Sequence, residues 1–255
     1  LYTETGAAIE QLKNLLEQGA DVVDVGAQST RPGAEEFGWE KEWSRLEGFF
    51  KNLGKNNPEL IASLSLDTKH WQTAEKFLEL GGGMLNDVSG FKDSNMIRVA
   101  AKFDCLCVVN HFPGMSIKSV HEQEYGSALA VREDLLNKKI EMVESGIEAE
   151  RIILDPGIGF GKTMLLNWEL LEFAKIIPDG KVMIGFSRKR FIDDKISRSA
   201  FGECLKSQGR TWSYQARKSL DKGRFSLEAN KVIGALVSET NPSYVRIHEI
   251  SMIEQ

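Results

Sequence analysis

Cysteine is scarce in this chain, occurring only at Cys105, Cys107 and Cys204. An odd set with no Cys-x-x-Cys pair argues against a disulfide framework and against zinc spacing. Cys105 and Cys107 read instead as core positions on one strand face, at home in a reducing cytoplasm. Positive charge is not in excess either: 32 Lys and Arg stand against 37 Asp and Glu, for a net −5. No basic face is implied, so a nucleic-acid partner is not expected. No apolar run approaches membrane-spanning length and no signal peptide opens the chain, so no membrane partner is expected. A Gly-x-Gly-x-x-Gly after an early strand is also missing, which counts against a dinucleotide-binding sheet. Repeats, low-complexity tracts and linkers are absent. With 42% hydrophobic and 27% charged residues in 255, residues 1–255 read as one packed domain.

Among what is present, Asp155-Pro-Gly-Ile-Gly-Phe-Gly-Lys162 is the most informative stretch. It ends an apolar run and leads into a helical pattern. A carboxylate at a strand end, followed by three glycines, suits a polar-ligand site approached closely by backbone. The phosphate-binding P-loop is excluded, because Pro156 stands where that motif needs its first glycine.

Apolar, β-rich runs recur at Asp21–Gly26, Ile61–Asp67, Gly83–Val88, Cys105–His111, Arg151–Gly157, Lys181–Ser187 and Tyr244–Ile250. Most are nearly continuous in apolar character, as parallel strands buried on both faces require. Helix-period segments intervene, such as Ala8–Gln18, Trp71–Leu80, Ser94–Lys102, Leu135–Glu144 and Leu165–Ile177. Gly19, Gly81 and Gly146 suit left-handed helix ends, and Ser94 suits an N-cap. Seven strands alternating with helices predict an α/β (β/α)8 TIM barrel lacking its first strand. That strand is expected upstream of Leu1, with Thr3 capping the first helix. An open doubly wound sheet is the alternative.

In such a barrel the chemistry sits at the C-terminal strand ends. Those ends carry Asp67 and Thr68, Asn86 and Asp87, His111, Asp155, Ser187-Arg188-Lys189, and Arg246 with His248. After the first visible strand comes Gln28-Ser-Thr-Arg-Pro-Gly33, a turn carrying an Arg. Carboxylates and an amide beside several cations suit a flat polar ligand with an anionic group. Each residue also has a plainer reading. A lone Asp can cap a helix, Asn86 and Asp87 can shape a turn, and Lys189 and Arg190 can be a solvated helix face. Asp24, inside its strand, reads as a buried hydrogen-bonding group.

Several segments together resemble dihydropteroate synthases: Asp24–Ala34, Ser65–Thr68, Leu85–Gly90, Asp155–Lys162, Gly185–Lys189 and Val245–His248. The resemblance implies a barrel that joins 6-hydroxymethyl-dihydropterin diphosphate to 4-aminobenzoate. It implies that Asp67, Asp155 and Lys189 carry the chemistry, with Asn86 sharing the pterin edge. Phe160 and Gly185 would line the pocket, Arg246 would lie on the ring face, and Arg246 and His248 would hold diphosphate. Thr30, Arg31 and Pro32 would belong to a loop over the aminobenzoate, whose carboxylate Arg190 could meet. Mg2+ is the implied cofactor, with its Asn ligand upstream of Leu1 rather than in this chain. A homodimer, sulfonamide sensitivity and fusion to another folate-pathway enzyme are further implications.

The chain departs from that pattern at Gln28, Glu249, Arg190 and Asn110, where Glu, Asp, Ser and Met are more usual. Residues 191–225 are longer than expected and suit either an extra helix or a partner surface. A Schiff-base role for Lys189 is the alternative chemistry. A folate- or corrinoid-dependent methyltransferase domain and a silent pterin-binding paralogue are the alternative functions.

Overall fold

The computed structural model describes residues 5–28, 36–114 and 126–253. Thr3, Thr30, Arg31 and Pro32 lie outside these. Seven strands occur: β1 (Val23–Val25), β2 (Leu64–Asp67), β3 (Met84–Asp87), β4 (Leu106–Asn110), β5 (Ile152–Asp155), β6 (Lys181–Gly185) and β7 (Tyr244–Arg246). Their order in the sheet is the order of the chain, β1 to β7. Helices alternate with them, so the architecture is that of a (β/α)8 barrel with seven of its strands.

The chain forms two compact units. The first holds the described residues through Asn110 together with Asn137–Ile153. Here β1, β2, β3 and β4 pair in parallel, with Asp24 opposite Ser65, Asp67 opposite Asn86, and Asn86 opposite Val108. Leu64, Leu66 and Val108 are fully buried, as the apolar runs predict. The helix Trp39–Asn56, absent from the sequence reading, covers part of this core. It buries Glu42, Leu46, Phe49, Phe50 and Leu53, a spacing that repeats every three to four residues. Charged and polar residues interrupt that stripe along the chain, which is why it is easily overlooked. Phe50 packs on Phe77 at 5.3 Å between ring centroids. Pro58 opens a 3-10 turn over Pro58–Ser63, so β2 begins three residues later than the apolar run suggests.

The second unit holds His111, Phe112 and their neighbours, residues 126–136, and the chain from Leu154 onward. Here β6 and β7 pair in parallel, with Gly185 opposite Arg246. The core centres on Trp168, fully buried, with Phe191, Phe201 and Trp212 around it at 4.9, 5.7 and 6.1 Å. The long 191–225 segment therefore resolves into helices, Lys195–Ser207 and Tyr214–Leu220. Trp212 packs inward between them.

Local chemistry explains most element ends. Gly19, Gly81 and Gly146 all take left-handed φ, as expected of residues just past a helix. The cap before Ser94–Lys102 is Asp93, whose carboxylate accepts from the Asn95 N–H at 2.8 Å. Ser94 is instead the first helical residue, because Asp93 already reaches the second N–H of the turn. β7 stops at Arg246, three residues short of a 3-10 turn at Ile250–Met252.

Candidate active site

In the first unit, side chains alternate across the sheet, so register decides which residues share a face. Asp67 and Asn86 are opposite one another, and Asp24 and Asn110 lie two residues from register partners of the same face. Four polar residues thus occupy one face toward the strand ends. Asn86 is 2% exposed and donates through Nδ2 to Asp24 Oδ2 at 2.9 Å. Asp24 is hydrogen-bonded as expected but exposed rather than buried, because among the described residues β1 has a neighbouring strand on one side only. Asp67 is half-buried and packs against Gly26, where an added Cβ would come within 3.1 Å of the Asp67 Cβ.

Two strand-end residues of this unit have structural work. Thr68 donates to the buried Glu42 carboxylate at 2.6 Å, fastening the helix Trp39–Asn56 to the end of β2. Asp87 accepts from Ser89 N at 2.8 Å, Ser89 Oγ at 2.7 Å and Phe91 N at 2.9 Å. The turn-shaping reading holds for Asp87 and not for Asn86. Burial outweighs those hydrogen bonds and pushes the Asp87 carboxyl up to about 6.

In the second unit several of the charged side chains are paired with one another. Asp155 is 1% exposed; one oxygen accepts from Gly157 N at 2.8 Å and the other from Arg246 Nη2 at 2.7 Å. Gly185 makes room for that pair, since a Cβ there would sit 3.2 Å from the Arg246 Nε and Nη2. Lys189 reaches over the Phe160 ring at 5.2 Å, an attraction between cation and π face. Phe160 meets Phe112 edge-on at 5.5 Å. Gly159 takes φ of 90°, a conformation that only glycine adopts without strain, and its Cα side faces the Lys189 stem. Before Lys189, Arg188 is held at φ 59°. Its N–H bonds to Asn230 Oδ1 at 3.0 Å and its guanidinium pairs with Glu249. His248 bonds through Nδ1 to Ser187 Oγ at 2.8 Å. Arg190 is exposed at the head of the short 3-10 turn Arg190–Asp193.

A chain of polar contacts not foreseen as such lies beside these residues, buried at Lys162 and His111 and half-exposed at Asp134. Lys162 donates to Phe160 O at 2.8 Å, His111 O at 3.1 Å and His111 Nδ1 at 2.9 Å, using all three ammonium hydrogens. His111 Nε2 lies 3.2 Å from Asp134 Oδ2. Burial lowers Lys162 to about 7, with Asp155 opposing and Lys189 reinforcing the shift. Burial, then the Lys162 charge, lowers His111 to about 4, against Asp134. His111 is therefore neutral at pH 7, accepting at Nδ1 and donating at Nε2. The one available signal was a lysine among glycines and phenylalanine, where backbone carbonyls are the nearest partners.

Among the described residues, no group of three or more His, Cys, Asp or Glu side chains is placed to hold a metal ion. No helix among them is long and apolar enough to cross a membrane. Cys105 and Cys107 are buried thiols and Cys204 is an exposed one.

Residues 1–218 match the pterin binding enzyme family. A dihydropteroate synthase of Clostridium beijerinckii is 34% identical over 198 residues, covering 75% of this chain and 69% of that protein. A probable bifunctional folylpolyglutamate synthase/dihydropteroate synthase of Halobacterium salinarum is 30% identical over 252 residues, covering 98% of this chain and 28% of that protein. Among solved structures, the dihydropteroate synthase of Anaplasma phagocytophilum with bound 6-hydroxymethylpterin-monophosphate superposes with a TM-score of 0.77 at 26% identity. The match covers 98% of this chain and 91% of that one.

Proposed function

The chain belongs to the pterin binding enzyme family, and from that premise we propose that it is a transferase, a dihydropteroate synthase. It would condense 6-hydroxymethyl-7,8-dihydropterin diphosphate with 4-aminobenzoate in folate synthesis, with residues 1–255 working as one domain. The observation that carries the reading is the Asp155–Arg246 pair, a buried carboxylate keyed to a guanidinium that is 27% exposed. A carboxylate in that position can accept paired N–H donors from an aminopyrimidine edge. For it to do so, Arg246 must give up Asp155 Oδ2 and turn onto the ring face, where a guanidinium both stacks and meets phosphate.

Asp67, Asn86 and Asp155 are assigned to the pterin edge, and Lys189 to its carbonyl. Phe160 and Gly185 are assigned to the pocket lining, and His248 with Arg246 to the diphosphate. Thr30, Arg31, Pro32 and Arg190 are assigned to the aminobenzoate. In the reaction the methylene C–O bond breaks and diphosphate leaves with the electron pair. The aromatic amine lone pair then forms the C–N bond, and the amine releases its proton. Carboxylates near the ring stabilise the positive charge that develops there, and no covalent enzyme nucleophile is needed. Mg2+ is proposed as the counter-ion of the diphosphate. The described residues offer no cluster of three or more His, Cys, Asp or Glu side chains for it.

A homodimer and a cytoplasmic setting belong to the same proposal, the latter supported by the free thiols. Sulfonamides would compete with aminobenzoate. Fusion to a second folate-pathway activity is supported by the bifunctional relative. The deciding assay is dihydropteroate formation by the full-length protein with Mg2+, alongside Asp155→Asn and Lys189→Ala. Turnover that collapses in both variants supports the reading. Turnover that survives both removes these residues from the site, and a parent that binds pterin without turnover favours the methyltransferase or silent-paralogue alternative.

A further inference from the structure

Asn110 ends β4 at 1% exposure, yet neither its Nδ2 nor its Oδ1 finds a hydrogen-bond partner among the described residues. Buried carboxamides are nearly always paired, because leaving a donor and an acceptor unmet sacrifices their hydration without return. Its position is no accident of packing. The register places Asn86 opposite Val108, so Asn110, two residues on, projects from the face that carries Asp67 and Asn86. Asn86 Oδ1 is likewise buried without a partner among the described residues. The backbone around Asn110 is braced. The loop after β3 comes so close that a Cβ on Gly90 would lie 2.5 Å from Asn110 O. That loop is in turn held by the hydrogen bonds to Asp87. A braced strand end therefore holds one unmet donor and one unmet acceptor, with a second unmet acceptor on the neighbouring strand.

We propose that Asn110 is a specificity-determining residue of the pterin pocket, its carboxamide pairing with a heterocycle edge that shows a donor beside an acceptor. The inference rests on the functional reading above. A carboxamide rejects a ligand lacking the matching groups, because the unmet polar atoms then stay buried in the complex.

The test compares the parent with Asn110→Leu, which keeps a branched side chain and removes both polar atoms, and with Asn110→Ala. Titration calorimetry with 6-hydroxymethylpterin monophosphate reads affinity, and thermal unfolding without ligand reads stability. Loss of two neutral hydrogen bonds predicts binding weaker by about 10–100-fold. Removing an unmet buried amide predicts a Tm for Asn110→Leu unchanged or raised by about 2–4 °C. In steady state, KM for the pterin substrate rises in both variants while KM for 4-aminobenzoate stays unchanged. A lowered Tm with parental pterin affinity in Asn110→Leu overturns the proposal and makes Asn110 structural. Parental affinity in both variants overturns it whatever the Tm. A parent that binds no pterin overturns the functional reading, and this one with it.

Discussion

The two units hold their polar residues in opposite conditions. In the first, Asn86 and Asn110 are buried with polar atoms that find no partner among the described residues, and the neighbouring charges are carboxylates. In the second, the corresponding groups are engaged with one another: Asp155 with Arg246, Lys162 with His111, Arg188 with Glu249. The first arrangement leaves hydrogen-bonding capacity unmet among the described residues. The second holds charge in pairs. An unmet neutral amide costs less in a core than an unpaired buried charge does.

The largest effect on this contrast is expected from Asp155→Asn. It removes the charge that holds Arg246 and weakens the acceptor for Gly157 N–H, and kcat/KM for dihydropteroate formation should fall roughly 10²–10³-fold. Gly185→Ala tests the same pair from the other side. A methyl placed 3.2 Å from the guanidinium should displace Arg246 and lower kcat/KM by about 10–100-fold, with a small change in Tm. An unchanged rate in Gly185→Ala would mean that the position of Arg246 is unimportant to turnover.

Acid titration separates the units by sign. His111 is depressed to about 4 in the folded chain, so the stability it contributes is full above its ordinary value near 6.5 and is lost as pH falls toward 4. The difference amounts to at most about 3 kcal/mol. Lys162, depressed to about 7, acts in the same direction at higher pH, below its ordinary value near 10.5. Asp87 is raised to about 6, so its contribution runs the other way: stability is gained as pH falls from 6 toward 3.8. Denaturant unfolding between pH 7 and 4 should therefore show a shallower loss in His111→Gln than in the parent, and a steeper one in Asp87→Asn. Equal slopes in all three proteins would contradict both assignments. The smallest effect is expected from Glu249→Gln. Its ion pair with Arg188 is about one-third to one-half exposed, and such pairs contribute about 0–1 kcal/mol. Stability measured by the same unfolding should barely move.

Much of this was legible in the residues themselves. The near-continuous apolar runs placed all the strands, because a parallel strand buried on both faces leaves that mark whatever surrounds it. The spacing of Asp67, Asn86, Asp155, Lys189 and Arg246 at strand ends marked the candidate site for the same reason. The helix Trp39–Asn56 is hidden because its apolar stripe is interleaved with charge, and Ser94 suits a cap by residue type although its neighbour Asp93 is the one that caps. Pattern alone could not assign Asp87 to a turn and Asn86 to a face, since both belong to one Asn-Asp pair at a strand end. Tertiary structure decided which polar atoms are met and which are left waiting, that Lys162 spends its charge on carbonyls and an imidazole, and that Arg246 rests on Asp155. Those outcomes depend on distances between residues far apart in the chain and on burial, which periodicity does not encode.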